Sequence, residues 1–341
     1  MNKKKIPATL VTGFLGGGKT TLLSSVLKQP AGRRVAVVVG VPSGSGIDSE
    51  ILRGKGADLV DNVRRLPLGN RIYELSNGCL CCTVQTDFQH MMQALAMCYD
   101  RIDHVMIETP GTELPITFLK HLNSHSLSAL FTIDSVVTVA DGSLLAGGGF
   151  SSDMNLIHSK VDPNLKHLYR AQLDIADVVL ISKADLVFPA VRRRLQSKLQ
   201  ALLTHRPDII SMQHGLVNPD LLFNRDCESE QRLDVDKIKV DEQHIADGFD
   251  SVMVKLGRVD SDLLVSRLQM LIREQPVYRT KGFAELPNKM MRQVVQGVGS
   301  RINRSYDRCW GEGEQRSTHL QIIGRHLDSE RLMATLRVAE V

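Results

Sequence analysis

The chain has 341 residues, enough for two domains or one large domain with an appendage, and 42 Lys plus Arg against 38 Asp plus Glu leave a net charge of +4. A charge so small and so evenly spread leaves no footprint for nucleic acid, and no apolar run reaches the roughly 18 residues of a membrane span. Lys3–Lys5 is expected to be a solvated tail rather than a targeting signal, which points to a cytoplasmic protein.

Ala8–Thr12 has the length and residues of a short buried strand, and Thr20–Leu27 those of the helix that follows. Arg34–Val39 is a continuous apolar run, the mark of a strand covered on both faces of a parallel sheet. Gly40–Gly46 is a loop by composition, Arg71–Leu75 leads into Ser76–Cys82, and Phe88–Tyr99 has helical spacing. His104–Ile107, Ser135–Ala140 and Asp177–Ile181 complete the set of buried strands, with a helix from about Val191 to Leu203. Strands alternating with helices predict an α/β fold, a doubly wound and mostly parallel sheet, with ligands at the carboxyl ends of the strands; the loop between the first strand and helix, Gly13–Thr20, makes it a P-loop sheet. Residues 1–221 would form this domain. Asp226, Glu228, Glu230, Arg232, Asp234, Asp236 and their neighbours mark 222–247 as a charged linker. Residues 248–341 would form a smaller α/β domain: Ser251–Leu256 alternates like a half-buried strand, and Asp260–Arg273 is an amphipathic helix capped by Asp260 or Ser261. Strands near Val277, Met291 and Leu320 and a helix over Ser329–Leu336 follow.

Three stretches carry chemistry. The first is Gly13-Phe14-Leu15-Gly16-Gly17-Gly18-Lys19-Thr20, followed by Thr21, which fits the phosphate-cradling pattern G-x-x-x-x-G-K-S/T. Glycines let successive backbone N–H groups turn toward a polyphosphate, Lys19 supplies a point charge, and the Thr20 hydroxyl can ligate Mg²⁺. Glu108-Thr109-Pro110-Gly111 closes an apolar strand; its carboxylate can hold Mg²⁺ and its glycine lets a backbone N–H approach a terminal phosphate. Lys19 and Glu108 are thus the catalytic candidates, and Thr20 with Glu108 the magnesium site. The second stretch, Ser182-Lys183-Ala184-Asp185, resembles the guanine-reading N-K-x-D loop: an Asp carboxylate accepts from guanine N1–H and its amine, whereas adenine offers an acceptor there. Ser182 in place of Asn loses the amide's hydrogen bonds, so GTP is expected over ATP with weakened affinity.

The third is Cys79-Leu80-Cys81-Cys82, three of the six cysteines within four residues. In a cytoplasmic chain these are thiols or metal ligands rather than disulfides. In an extended segment Cys79 and Cys81 face one way and Cys82 the other, so all three meet one metal only where the chain turns, as Gly78 permits. Soft thiolates favour Zn²⁺ or Co²⁺ over Mg²⁺ or Ca²⁺, and three leave a coordination position open for a metal that is handed on. Cys98, Cys227 and Cys309 are isolated. His214 and His244 read as solvated or hydrogen-bonded histidines.

The segments G-F-L-G-G-G-K-T-T, N-G-C-L-C-C-T-V-Q, I-E-T-P-G and A-D-V-V-L-I-S-K-A-D together resemble the CobW-type metallochaperone GTPases, relatives of UreG and HypB. Tyr73–Gln85 and Arg101–His104 look like the branch associated with cobalt supply for cobalamin synthesis, and Arg279–Gly282, Trp310 and Leu320–Gly324 look like the family's C-terminal domain. The resemblance implies that Gly13, Gly16, Gly17, Gly18, Lys19, Thr20, Thr21 and Gly111 hold GTP and Mg²⁺, that Ser182, Lys183 and Asp185 read guanine, and that Cys79, Cys81 and Cys82 hold cargo Co²⁺ or Zn²⁺. It also implies a metal-receiving client, of which a cobaltochelatase is one, and a homodimer formed with nucleotide. The chain departs from the family where N-E-F-G-E is replaced by Gly40-Val41-Pro42-Ser43-Gly44, removing two carboxylates from switch I, with Asp48 or Glu50 as substitutes. Pro110-Gly111-Thr112-Glu113 also differs from the usual T-G-L-A.

The leading expectation is a slow GTPase that loads Co²⁺ or Zn²⁺ and releases it to a client. The alternative is a GTP- and metal-binding scaffold with negligible hydrolysis, motivated by the missing switch I acids. A P-loop kinase ranks last, because no acceptor pocket or lid is visible.

Overall fold

The computed structural model of the chain describes residues 5–40, 58–59, 71–75, 85–146, 163–203, 205–223, 225, 249–299 and 301–341. These fall into two units, one holding the described residues up to 225 and one those from 249 onward.

In the first unit, Ile6–Thr12 (β1), Val35–Gly40 (β2), Asp58–Leu59 (β3), Arg71–Leu75 (β4), His104–Glu108 (β5), Phe131–Asp141 (β6), Val178–Ser182 (β7) and Asp208–Ser211 (β8) form one sheet. Its order is β3-β4-β2-β5-β1-β6-β7-β8, and every pairing is parallel. β2, β5 and β7 are buried at each position, as strands covered on both faces must be. The helices are Lys19–Lys28 (α1), Gln85–Ala96 (α2), Pro115–Leu122 (α3), His125–Ser128 (α4), Gly142–Ala146 (α5), Pro163–Asp174 (α6) and Pro189–Leu202 (α7). β1 sits where the chain first moves out to β2, β3 and β4 and then returns to build β6, β7 and β8 on the other side. Parallel strands all end at one edge, so β1, β5, β6 and β7 deliver their following loops together.

β6 is longer than the Ser135–Ala140 expected from the sequence: it starts at Phe131 and runs through a bulge, where the register against β1 slips between Ala8 and Thr9 and leaves Asp134 as the extra residue. At the opposite edge, the His104 imidazole meets Thr9 Oγ1 at 2.8 Å, and Thr9 in turn bonds Ser135 Oγ at 3.3 Å and the Leu222 carbonyl at 3.4 Å. The Phe223 ring stands edge-on to His104 at 4.6 Å. Leu222 and Phe223 therefore belong to the core of the first unit, not to the 222–247 linker; two apolar side chains close this buried patch before the charged residues begin.

The second unit is a five-stranded antiparallel sheet in the order β12-β11-β10-β13-β9, built from Asp250–Leu256 (β9), Val277–Ala284 (β10), Met291–Val298 (β11), Arg301–Cys309 (β12) and Thr318–Gly324 (β13). Ser261–Glu274 (α8) and Ser329–Arg337 (α9) cover it through Leu264, Leu268, Leu271, Leu332 and Leu336. Of the two expected caps for α8, Asp260 is the one used: its carboxylate accepts from the Leu263 N–H at 2.8 Å. β12 was not anticipated, since its mostly polar, exposed sequence lacks the alternation of a half-buried strand; as an edge strand it needs little. Among the described residues, no helix is long and apolar enough to cross a membrane.

Candidate functional site

The loop after β1 closes on itself around Lys19. Lys19 is 5% exposed, and its ammonium donates to the carbonyls of Gly13 at 2.6 Å and Phe14 at 3.3 Å. Gly13 has φ 130°, and a Cβ there would lie 2.2 Å from the Val139 carbonyl oxygen of β6, so no other residue fits. Gly18, in the left-handed region, starts α1 and opens the first N–H groups of the helix toward the loop.

Strand pairing sets the neighbour. Val11 lies opposite Glu108 in the β1–β5 register, which brings the last residue of β5 under the start of α1. The Thr20 hydroxyl donates to Glu108 Oε1 at 3.1 Å, and Glu108 is 6% exposed. Two hard oxygen donors meet here beside the lysine-capped loop, a donor set that suits Mg²⁺. Next along the chain, Thr109 donates its hydroxyl proton to Thr12 Oγ1 at 3.0 Å. Gly111 then passes so near the first loop that a Cβ would sit 2.7 Å from the Leu15 nitrogen. The glycines, lysine, threonine and glutamate singled out in the sequence therefore converge.

The second stretch, Ser182–Asp185, joins them from β7. Ser182 donates its hydroxyl proton to the Gly17 carbonyl, with Ala140 O within 3.2 Å as an alternative acceptor. The serine hydroxyl thus bonds the Gly13–Thr20 loop, because β7 ends close beside it. Lys183 has φ 53°, and its ammonium pairs with the Asp141 carboxylate at the end of β6, which also accepts from the N–H groups of Ser143 at 2.9 Å and Leu144 at 3.3 Å. Asp185 lies exposed in the turn Ala184–Leu186. His214 is exposed, and Gly215 after it packs against Thr21, where a Cβ would stand 2.8 Å from the backbone oxygen.

Three residues outside the sequence motifs brace this site. Gln172 of α6 donates its amide protons to the carbonyls of Gly111 at 3.2 Å and Glu113 at 3.4 Å. Tyr169, one turn earlier, meets the Phe14 ring edge-on at 6.0 Å, and burial, then the nearby Asp141 carboxylate, hold its hydroxyl above the usual phenol pKa. The third is Asp141. The helical spacing of Leu165, Leu168, Tyr169 and Gln172 is a signal for α6 that the sequence carries. Cys79, Cys81 and Cys82 lie outside the described residues, as do Asp48, Glu50 and His244. Among the described residues, no three His, Cys, Asp or Glu side chains are grouped to hold a metal.

Comparison with known proteins places this geometry. The CobW/HypB/UreG nucleotide-binding domain matches residues 7–210, and the cobalamin synthesis protein cobW C-terminal domain matches 249–340. The chain is 36% identical to the zinc chaperone CobW of Sinorhizobium sp. over 95% of its own length and 94% of that protein's. It is 36% identical to the zinc chaperone CobW of Pseudomonas aeruginosa, over 98% and 92%, and 26% identical to the zinc chaperone YjiA of Escherichia coli, over 96% and 97%. Two family models in succession and a relative 36% identical along nearly the whole chain give one conclusion: the chain belongs to the CobW family, a CobW/HypB/UreG nucleotide-binding domain followed by a CobW C-terminal domain.

Proposed function

We propose that the chain is a cytoplasmic GTP-dependent metallochaperone that loads a divalent ion on Cys79, Cys81 and Cys82 and passes it to a client protein as GTP is slowly hydrolysed. The observation that carries the nucleotide half is the Thr20–Glu108 hydrogen bond beside the Lys19-capped loop. Lys19 would move from the loop carbonyls to the β and γ phosphates, Thr20 and Glu108 would hold Mg²⁺ directly or through water, and Gly111 would sense the terminal phosphate. Ser182, Lys183 and Asp185 would select guanine. The metal half rests on the three thiols and on the relatives' names, which favour Zn²⁺ over Co²⁺ as the cargo; soft thiolate sites take both, and the cobaltochelatase client stands or falls with cobalt. A homodimer formed with nucleotide remains part of this reading.

The second reading, a GTP- and metal-binding scaffold that turns over negligibly, is favoured by the residues after β2. Gly40-Val41-Pro42-Ser43-Gly44 offers no carboxylate to position water or metal. Phosphate release at saturating GTP and Mg²⁺, with and without Zn²⁺, separates the two. Steady turnover abolished by Lys19→Ala rules out the scaffold, and its absence in the wild type rules out the chaperone cycle as written. Metal content of protein purified without added metal, with the three cysteines intact or replaced by Ser, tests the thiol site.

A further inference from the structure

Glu113 is an acid in an unexpected place. It lies two residues beyond Gly111, is 8% exposed, and no hydrogen bond or ion pair reaches its carboxyl group among the described residues. Its backbone is held at both ends: its N–H donates to the Pro110 carbonyl at 3.2 Å, and its own carbonyl accepts from Gln172 at 3.4 Å. The same Gln172 amide holds the Gly111 carbonyl at 3.2 Å. Gln172 is 1% exposed and fixed through its own carbonyl, which accepts from the Thr138 hydroxyl of β6. One buried amide thus ties Gly111 and Glu113 into a single unit.

We propose that Gln172 and Glu113 form a proton-linked latch on the phosphate-sensing loop: Gln172 keeps the loop closed with Glu113 buried as the neutral acid, and a bound triphosphate that draws Gly111 forward releases Glu113 to solvent as the carboxylate. The proton goes to bulk water. The proposal rests on Gly111 contacting the terminal phosphate.

Lys19, Glu108, Asp141 and Arg170 each have partners other than Glu113. Lys19 bonds the first loop's carbonyls, Glu108 bonds Thr20, Asp141 pairs with Lys183, and Arg170 of α6 pairs with Asp174 at 2.7 Å. Lys120 and His121 lie in the last turn of α3. Burial alone acts on the Glu113 carboxyl and raises its pKa to about 7, which puts the latch in the range where a modest change of pH matters.

The test is the affinity of Mg·GTP and Mg·GDP for wild type and Glu113→Gln at pH 6, 7 and 8, with binding enthalpies measured in two buffers of different ionisation heat. The Gln side chain mimics the neutral acid and should fold. In the wild type the preference for GTP over GDP should rise about tenfold from pH 6 to pH 8, as a group of pKa about 7 becomes one of ordinary carboxylate pKa, with a proton released on GTP binding only. In Glu113→Gln that added rise should vanish; titration of the nucleotide's own phosphates is common to both proteins and cancels in the comparison. Gln172→Met, which lacks the amide donor, should raise the GTP preference at every pH. Identical pH profiles for wild type and Glu113→Gln would overturn the latch. If neither protein distinguishes GTP from GDP at any pH, the phosphate-sensing role of Gly111 fails first, and the latch with it.

Discussion

Thr20 and Glu108, 88 residues apart in sequence, meet at 3.1 Å because Val11 and Glu108 are partners in adjacent parallel strands. A hydroxyl and a carboxylate so paired form a ready position for a hard cation. Glu108→Gln keeps the shape and removes the charge. GTP turnover, or the Mg²⁺ concentration needed to support it, should worsen by about 10–100-fold, as for other groups that orient a metal ligand. A magnesium titration of phosphate release measures this, and an unchanged midpoint would remove Glu108 from the site.

Within the proposed guanine-reading stretch, Ser182 is the residue that bonds the Gly13–Thr20 loop, and Asp185 is the exposed carboxylate. Ser182→Ala leaves the Gly17 carbonyl without its side-chain donor, at a cost of about 1–3 kcal/mol shared between stability and binding. Affinity for GTP should fall, while the ratio of GTP to ATP affinity stays put. Asp185→Asn should do the reverse, cutting the GTP preference by about tenfold or more with little change in melting temperature. Competition binding with the two nucleotides distinguishes the variants.

His104 and Glu113 give the fold opposite responses to pH. Burial, with a lesser contribution from Arg33, lowers the His104 pKa to about 3, so the folded state resists protonation. Its contribution is complete above the unfolded histidine value near 6.5 and is lost as pH falls toward 3, at about 1.4 kcal/mol per pH unit. Glu113 is raised instead, to about 7, so the stability that its neutral form lends is present at low pH and lost as pH rises from the ordinary carboxylate range through 7. The two slopes oppose each other between about pH 4.5 and 6.5. Denaturant unfolding should therefore show a flatter wild-type profile there than either single variant. Glu113→Gln should lose stability on acidification, by about 2 kcal/mol from pH 6.5 to 5, and His104→Gln should gain it.

Arg292 in the second unit is 1% exposed, bonded to Asp307 at 2.7 Å and stacked 3.5 Å above the centre of the Phe283 ring. Removing one partner of a buried ion pair is far worse than never having had it. Asp307→Ala should cost about 3–5 kcal/mol, with Arg292→Met plus Asp307→Leu recovering much of the loss. Thermal unfolding of the two variants checks this, and equal stability would contradict it.

What could be read in advance was local. Gly13–Thr21, Glu108 and Ser182–Asp185 carry their chemistry in consecutive residues, and apolar runs such as Val35–Val39 announced the strands that align them. Asp141, Gln172 and Glu113 could not be found that way. Each matters through a contact 40 to 60 or so residues distant in sequence, set by where parallel strands and α6 happen to end. The strand Arg301–Cys309 was hidden for another reason: an edge needs no apolar face, so it leaves little periodicity. The Leu222–Phe223 boundary was misjudged because the charge of the following stretch masked two apolar residues at its start.

The bond from Ser182 to Gly17 has a consequence for small fragments of the nucleotide. On the proposed reading guanosine would sit against Ser182–Asp185 and inorganic pyrophosphate in the Gly13–Thr20 loop, two stretches that the Ser182–Gly17 hydrogen bond joins. Ordering either stretch restrains the other, so the two fragments should bind together more tightly than separately, and that synergy should disappear when the bridge is cut.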